Sequence, residues 1–297
     1  MYNLPKVSVC CFIRDTYVGA FCLFESMANL MPLADEFIVY DLGSTDGTLE
    51  ELKNLASINK KIRIIEGKFF KDDMERLEQR EKLFAQRANE VISMCRNNLV
   101  LYYQADEIWH QDLIEVLKRE LHTLALGIKP NWPGFSFLRY QLQENFQKIK
   151  WWPHLVNRLD LKSRMNYIGD GMGTDRTFDA KLVCDYPNCD WEKMFSNAPM
   201  NMPLHQMILD VSMTGGFLNN IPTRRSLHAP LWNEDPNILY GVEGGSVNIH
   251  EWIDKQRHNP NWIKTESPFD IPQIMRYHVG KLNYELRQEI FDKIAKG

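Results

Sequence analysis

The order in which apolar runs and helical stretches follow one another constrains this chain more than any other feature. Four short runs rich in β-formers occupy residues 7–13, 36–41, 62–65 and 99–103. Each is long enough to be a buried strand. Between them lie stretches that read as helix at 17–30, 48–56 and 74–95, the last carrying Leu77, Leu83, Phe84, Ala88, Val91 and Ile92 at near-helical spacing. Strands that alternate with helices are joined as parallel neighbours by right-handed crossovers, which puts helices on both faces and gathers the strand C-termini along one edge. The expectation is an α/β fold built on a mostly parallel, Rossmann-like sheet. Ligands of such sheets sit at that edge, held by the loops leaving the strands.

Composition removes several function classes. With 44% hydrophobic and 25% charged residues over 297 positions, the chain has the make-up of an ordinary globular protein able to bury a full core. Thirty-five basic residues stand against thirty-nine acidic ones, and no block of lysine and arginine is present to neutralise a row of phosphates, so nucleic acid is not an expected partner. The six cysteines show no C-x-x-C spacing and read as reduced thiols. The first apolar run, Val7 to Ile13, is too short to cross a bilayer, is closed by Arg14 and Asp15, and is followed by no cleavage pattern. No transmembrane segment is expected, and the location read from this is cytoplasmic.

The residues just past the strands are acidic. Arg14-Asp15 follows the first, Asp41 ends the second, and Gln104-Ala105-Asp106-Glu107 follows the fourth. Acidic residues here also serve as helix caps, a role open to Asp46 before the helix near Thr48 and to Asp15. In Asp41-Leu-Gly-Ser-Thr-Asp-Gly-Thr48, Gly43 and Gly47 permit backbone conformations and close approaches that a side chain would obstruct, and Asp41 can accept a hydrogen bond from a base or ribose. A carboxylate at Asp106 can bind a hard cation that also bridges two phosphate oxygens. Glu107 either assists there or orients the loop.

Taken together, in this order and roughly sixty residues apart, the two segments resemble the family 2 glycosyltransferases, whose fold is the one called GT-A. The resemblance covers residues 5 to 110. Arg14-Asp15 stands where the family has Asn-Glu, Tyr40-Asp-Leu-Gly-Ser-Thr-Asp-Gly-Thr48 stands for its Val-Asp-Asp-Gly-Ser-Thr-Asp-Gly-Thr, and Gln104-Ala105-Asp106 stands for its Asp-x-Asp. The resemblance implies a nucleotide-diphosphate sugar as donor and a divalent cation, Mn or Mg. It puts Asp15, Asp41, Gly43, Gln104, Ala105 and Asp106 around the nucleotide, with Asp41 on the base and Asp106 on the metal. Two departures bear on this. Leu42 replaces the second Asp of the first motif, and Gln104 replaces the first Asp of the metal motif, so the cation is held less tightly or is dispensable.

By the same resemblance, residues 1–130 form the nucleotide-sugar half of a GT-A domain, 131–230 the acceptor-side half, and 231–297 a helical C-terminal extension. Strand-like pieces lie at 135–140 and 156–161, and helical ones at 273–279 and 282–295, where Leu286, Ile290 and Ile294 share a face. That last helix either packs on the main domain or docks on a partner or a membrane surface. Inverting transfer requires a carboxylate to take the acceptor proton. Asp170, between two glycines, is the first choice, with Asp175 and Asp190 as rivals and a plain surface turn as the alternative. His205, or His228, is a candidate to complete the metal shell. Trp151, Trp152, Trp191, Trp232, Trp252 and Trp262 offer stacking surfaces for a carbohydrate-like acceptor, or core packing. Arg80 and Arg87 either reach a phosphate, or are solvated or paired with Glu81 and Glu90. A sugar nucleotidyltransferase would carry a Gly-rich basic loop after the first strand, which Phe12-Ile-Arg-Asp-Thr-Tyr17 is not. A non-catalytic nucleotide-sugar-binding relative is the other reading.

Overall fold

A computed structural model describes residues 5–19, 21–68, 77–125, 134–143, 148–150, 154–168, 173–175, 181–182, 208–213, 222, 235, 237–242, 245–257, 262–264 and 284–297. The first half runs β1 (Val7–Ile13), α1 (Leu23–Leu30), β2 (Glu36–Asp41), α2 (Thr48–Ile58), β3 (Ile62–Glu66), α3 (Leu77–Ser93), β4 (Leu99–Tyr102), β5 (Glu107–Trp109) and α4 (Gln111–Ala125). It continues through β6 (Phe135–Gln143), β7 (Lys148–Lys150), β8 (His154–Leu161), β9 (Tyr167–Ile168), β10 (Gly173–Thr174), β11 (Lys181–Leu182) and β12 (Ile208–Met213). The last elements are β13 (Ile238–Val242), β14 (Gly245–Asn248), α5 (Ile249–Arg257), β15 (Trp262–Lys264) and α6 (Tyr284–Lys296).

The parallel heart is present as expected. β1 lies between β2 and β4, and β3 lies beyond β2, all parallel, so the order 3-2-1-4 reverses at β1. Alternation along β1 assigns the faces. Val7, Val9, Cys11 and Ile13 join Leu23 and Met27 of α1, Leu52 and Leu55 of α2, Leu113 and Leu117 of α4, and Ile290 and Ile294 of α6 in one buried cluster. Cys10 joins Ile38, Val100, and Ala88, Val91 and Ile92 of α3 in the other. Helices therefore cover both faces. The four cysteines among the described residues, Cys10, Cys11, Cys22 and Cys95, are free and buried, and burial pushes the Cys11 thiol up to about 12.

Beyond β4 the sheet changes character. β8 joins β4 antiparallel, β6 joins β8 antiparallel, and β7 and β15 extend that side, while β12 lies parallel to β6 and carries β5 on its far edge. Both strand-like pieces read at 135–140 and 156–161 are strands. The helix expected from Tyr17 starts only at Leu23, because residues 16–19 turn to meet the loop after β2. α4 went unread although Leu113, Ile114, Val116, Leu117 and Leu121 line its buried face. α6 packs on the first half: Phe291 meets Phe24 edge-on and Asn59 donates to the Ile294 carbonyl at 2.7 Å. The helix expected at 273–279 lies outside the described residues. No helix among the described residues is long and apolar enough to cross a membrane.

Candidate active site

Two loops at the strand C-terminal edge are knitted into one body. The main chain starts the join, with Leu42 N–H bonded to the Ile13 carbonyl at 2.9 Å. Asp15 Oδ1 then accepts from the Thr45 amide at 2.6 Å, and Ser44 Oγ accepts from the Asp15 amide at 2.8 Å. Asp46 Oδ2 accepts from the amides of Tyr17 and Val18, while its Oδ1 accepts from Thr48 at the start of α2. Asp46 thus braces the first loop as well as the helix end. Asp15 sits at φ +48°, a left-handed conformation that Asp tolerates because its short side chain bonds locally, and Gly43 and Gly47 at φ +87° and +93° complete the turn.

Asp41 is fully buried at the end of β2. Its Oδ1 accepts from the amides of Gly43 and Ser44, both at 2.8 Å, so one oxygen builds the turn. The other, Oδ2, is shielded from solvent with no partner among the described residues. Leu42, in place of the family's second Asp, is buried in the cluster with Ile38 and Tyr40.

The third loop leaves the neighbouring strand. Tyr103 N–H bonds the Cys10 carbonyl at 3.0 Å, which fixes the loop beside β1. α1 clasps its far side: Cys22 Sγ donates to the Ala105 carbonyl, Ser26 Oγ to the Glu107 carbonyl, and Asn29 to the Trp109 carbonyl. Asp106 is partly exposed at the tip. Glu107 turns inward. Its fully buried carboxylate takes Arg158 Nη2 at 2.6 Å and Nε at 3.2 Å, lies 3.6 Å from Arg139 Nη1, and accepts from the Gln104 amide. Burial works against the Arg158 charge, but Glu107 beside it more than restores it, and the guanidinium lies over the Tyr102 and Tyr167 rings. Of the two roles open to Glu107, the structure shows loop orientation.

Gln104 accepts from Arg139 Nη1 at 3.3 Å. Arginine only donates, so the amide presents its carbonyl oxygen to Arg139. A cation at this loop is therefore offered one carboxylate by the described residues, that of Asp106, with Gln104 and Glu107 both engaged by guanidinium. That set fits a cation arriving with a diphosphate, since Mg²⁺-like ions are held by one or two carboxylates plus substrate phosphates. Asp170, His205, Asp190 and His228 lie outside the described residues; Asp175 is described and exposed. Arg87 pairs with Glu90 at 2.6 Å, as its spacing suggested. Arg139 and Arg158 were missed from sequence, although an arginine inside each of the strand-like pieces 135–140 and 156–161 was a readable sign of a buried partner.

A model of glycosyl transferase family 2 matches residues 22–184, more than half of the chain. The chain belongs to that family. The α/β sheet described above is accordingly a GT-A core, and the matched residues include the loops after β2 and β4. No curated protein sequence matches it. Among solved structures it is similar to Staphylococcus aureus TarS, at 10% identity and a TM-score of 0.39 over 75% of this chain and 40% of that one. It is also similar to the mannosyltransferase PcManGT of Pyrobaculum calidifontis in complex with GDP-Man and Mn2+, at 14% identity and a TM-score of 0.39 over 75% of this chain and 61% of that one. A third is glucosyl-3-phosphoglycerate synthase from Mycobacterium tuberculosis, at 19% identity and a TM-score of 0.27 over 48% and 45%. The family 2 chain spans less than two thirds of the length of each of these three.

Proposed function

We propose that this family 2 chain transfers a glycosyl group from a nucleoside diphosphate sugar to a hydroxyl of a glycan or other acceptor, with inversion at the anomeric carbon. The observation that carries the donor side is Asp41. A carboxylate oxygen buried without a donor is costly, and a base N–H or a ribose hydroxyl arriving at this edge supplies one. The braced loops at Asp15 and Gly43 hold that oxygen in place before the ligand arrives, so little ordering cost remains. Asp106 would hold a divalent cation, which would supply charge neutralisation for the leaving diphosphate.

In the reaction the acceptor oxygen bonds to the anomeric carbon while the bond from that carbon to the β-phosphate oxygen breaks. The diphosphate leaves with that electron pair, and the acceptor proton passes to a carboxylate, for which Asp170 is proposed. A second reading, binding without turnover, is favoured by the inward turn of Glu107 and the apolar burial of Leu42, which leave the crevice short of charge. Both are tested by thermal shift with UDP, GDP, CDP and TDP and their sugar conjugates, with and without Mn²⁺, followed by release of free nucleoside diphosphate in the presence of glycan acceptors. A rise in Tm with one base series supports the donor site, and no rise with any removes it. Binding without release establishes the second reading.

A further inference from the structure

We propose that Arg139 is a positioning residue that withdraws Gln104 from the coordination sphere of the cation, so that Asp106 is the loop's single protein ligand. The proposal rests on the reading of the 104–107 loop as the diphosphate-binding loop. Arg139 is nine-tenths buried or more and stands on β6, whose backbone is fixed between β8 and β12. From there Nη1 reaches the Gln104 carbonyl at 3.3 Å and the Glu107 carboxylate at 3.6 Å. Arg158 holds Glu107 from β8 at 2.6 Å, so two guanidiniums stand at that one carboxylate beside Gln104. A divalent cation at the Gln104 oxygen would face a guanidinium across that same oxygen, in a setting where screening by water is weak. The Gln104 backbone is fixed as well, because its amide donates to Glu107.

This arrangement makes a prediction that a merely structural role for Arg139 would not. Restoring a carboxylate at position 104 fails to recruit metal while Arg139 is present, because the new charge is taken by the guanidinium. The experiment measures binding of Mn²⁺ alone, by water-proton relaxation enhancement, to the full chain and to Gln104→Glu, Arg139→Met and the double variant. Gln104→Glu is isosteric, and its Mn²⁺ affinity is expected to stay within about threefold of the parent, whereas the double variant gains about tenfold or more through its added charged ligand. A gain above about threefold in Gln104→Glu alone overturns the proposal. So does a folded double variant that binds no better than Gln104→Glu, including the case in which Mn²⁺ binds none of the four proteins. Where the double variant does not fold, Gln104→Glu by itself decides, since it keeps the Arg139 contact and the side-chain volume. Adding Asp106→Asn to the double variant separates the two readings: retained Mn²⁺ binding removes Asp106 as a ligand and leaves the role of Arg139 standing.

Discussion

Neighbouring residues 106 and 107 carry the same charge and are put to opposite uses. Asp106 is partly exposed at the loop tip, and Glu107 is fully buried between two arginines. Breaking a buried pair by removing one partner leaves an uncompensated charge, so Glu107→Gln is expected to lower stability by about 3–5 kcal/mol. Asp106→Asn is expected to cost less, about 1 kcal/mol as for an average substitution, while reducing the Mn²⁺-dependent shift with nucleoside diphosphate. Urea unfolding of both variants checks the contrast, and equal losses would contradict it. A sequence gives no direct means of telling the two carboxylates apart, because what separates them is Arg158, fifty-one residues along on another strand. The place of Asp41 at the end of a strand, before a glycine turn, was legible from the apolar run that stops there and the glycines that follow; that one of its oxygens builds the turn and the other is left over was not.

At the level of elements, the strand ends and crossovers of the first half were legible because each is a local pattern of apolar residues bounded by polar ones. β5 was not: Glu107–Trp109 is three residues long and pairs with β12 about a hundred positions away, so its extended form is set by tertiary contact. The loop between β2 and α2 shows how an element end is held. Gly47 has φ +93° with open space where a Cβ would stand, so Gly47→Ala meets no clash and its cost is purely conformational, about 1 kcal/mol. Because Asp46 ties this turn to residues 17 and 18, the same substitution is expected to loosen both loops. Hydrogen exchange at Tyr17, Val18 and Thr48 reads this directly; faster exchange confined to Thr48 would mean the loops are not mechanically joined. At the other end of the chain, Ile294 on α6 is fully buried beside α2, and Ile294→Ala is expected to cost about 2–5 kcal/mol. Its chemical denaturation midpoint would fall while nucleotide binding by the folded protein is unchanged.

At the scale of the whole molecule, the parallel sheet is held at both edges by carboxylates, and the edge opposite the crevice makes stability depend on pH. Glu36, at the start of β2, accepts from Ser8 of β1 at 2.7 Å, from Arg63 of β3 at 2.9 Å and from the Arg96 amide before β4 at 2.8 Å. One side chain thus bonds to all three other parallel segments. Burial alone would push its carboxyl above the ordinary 4.5, but the Arg96 amide, Ser8 and Arg63 outweigh it and hold the value below that. The sign follows from linkage. A carboxylate whose folded pKa is depressed contributes stability that is fully present above its unfolded value and is lost as pH falls through the folded one. Glu36→Gln, which keeps the shape and removes the charge, is therefore expected to cost about 1.5–3 kcal/mol near neutrality, as for hydrogen bonds to a charged group. The difference from the parent should close as pH drops below 4.5, because protonation then removes the same charge from the parent. Urea midpoints at a series of pH values from neutral down to the acid limit of folding measure the gap. A gap that stays constant across the series would show that the Glu36 bonds gain nothing from its charge, and that acid sensitivity resides elsewhere in the sheet.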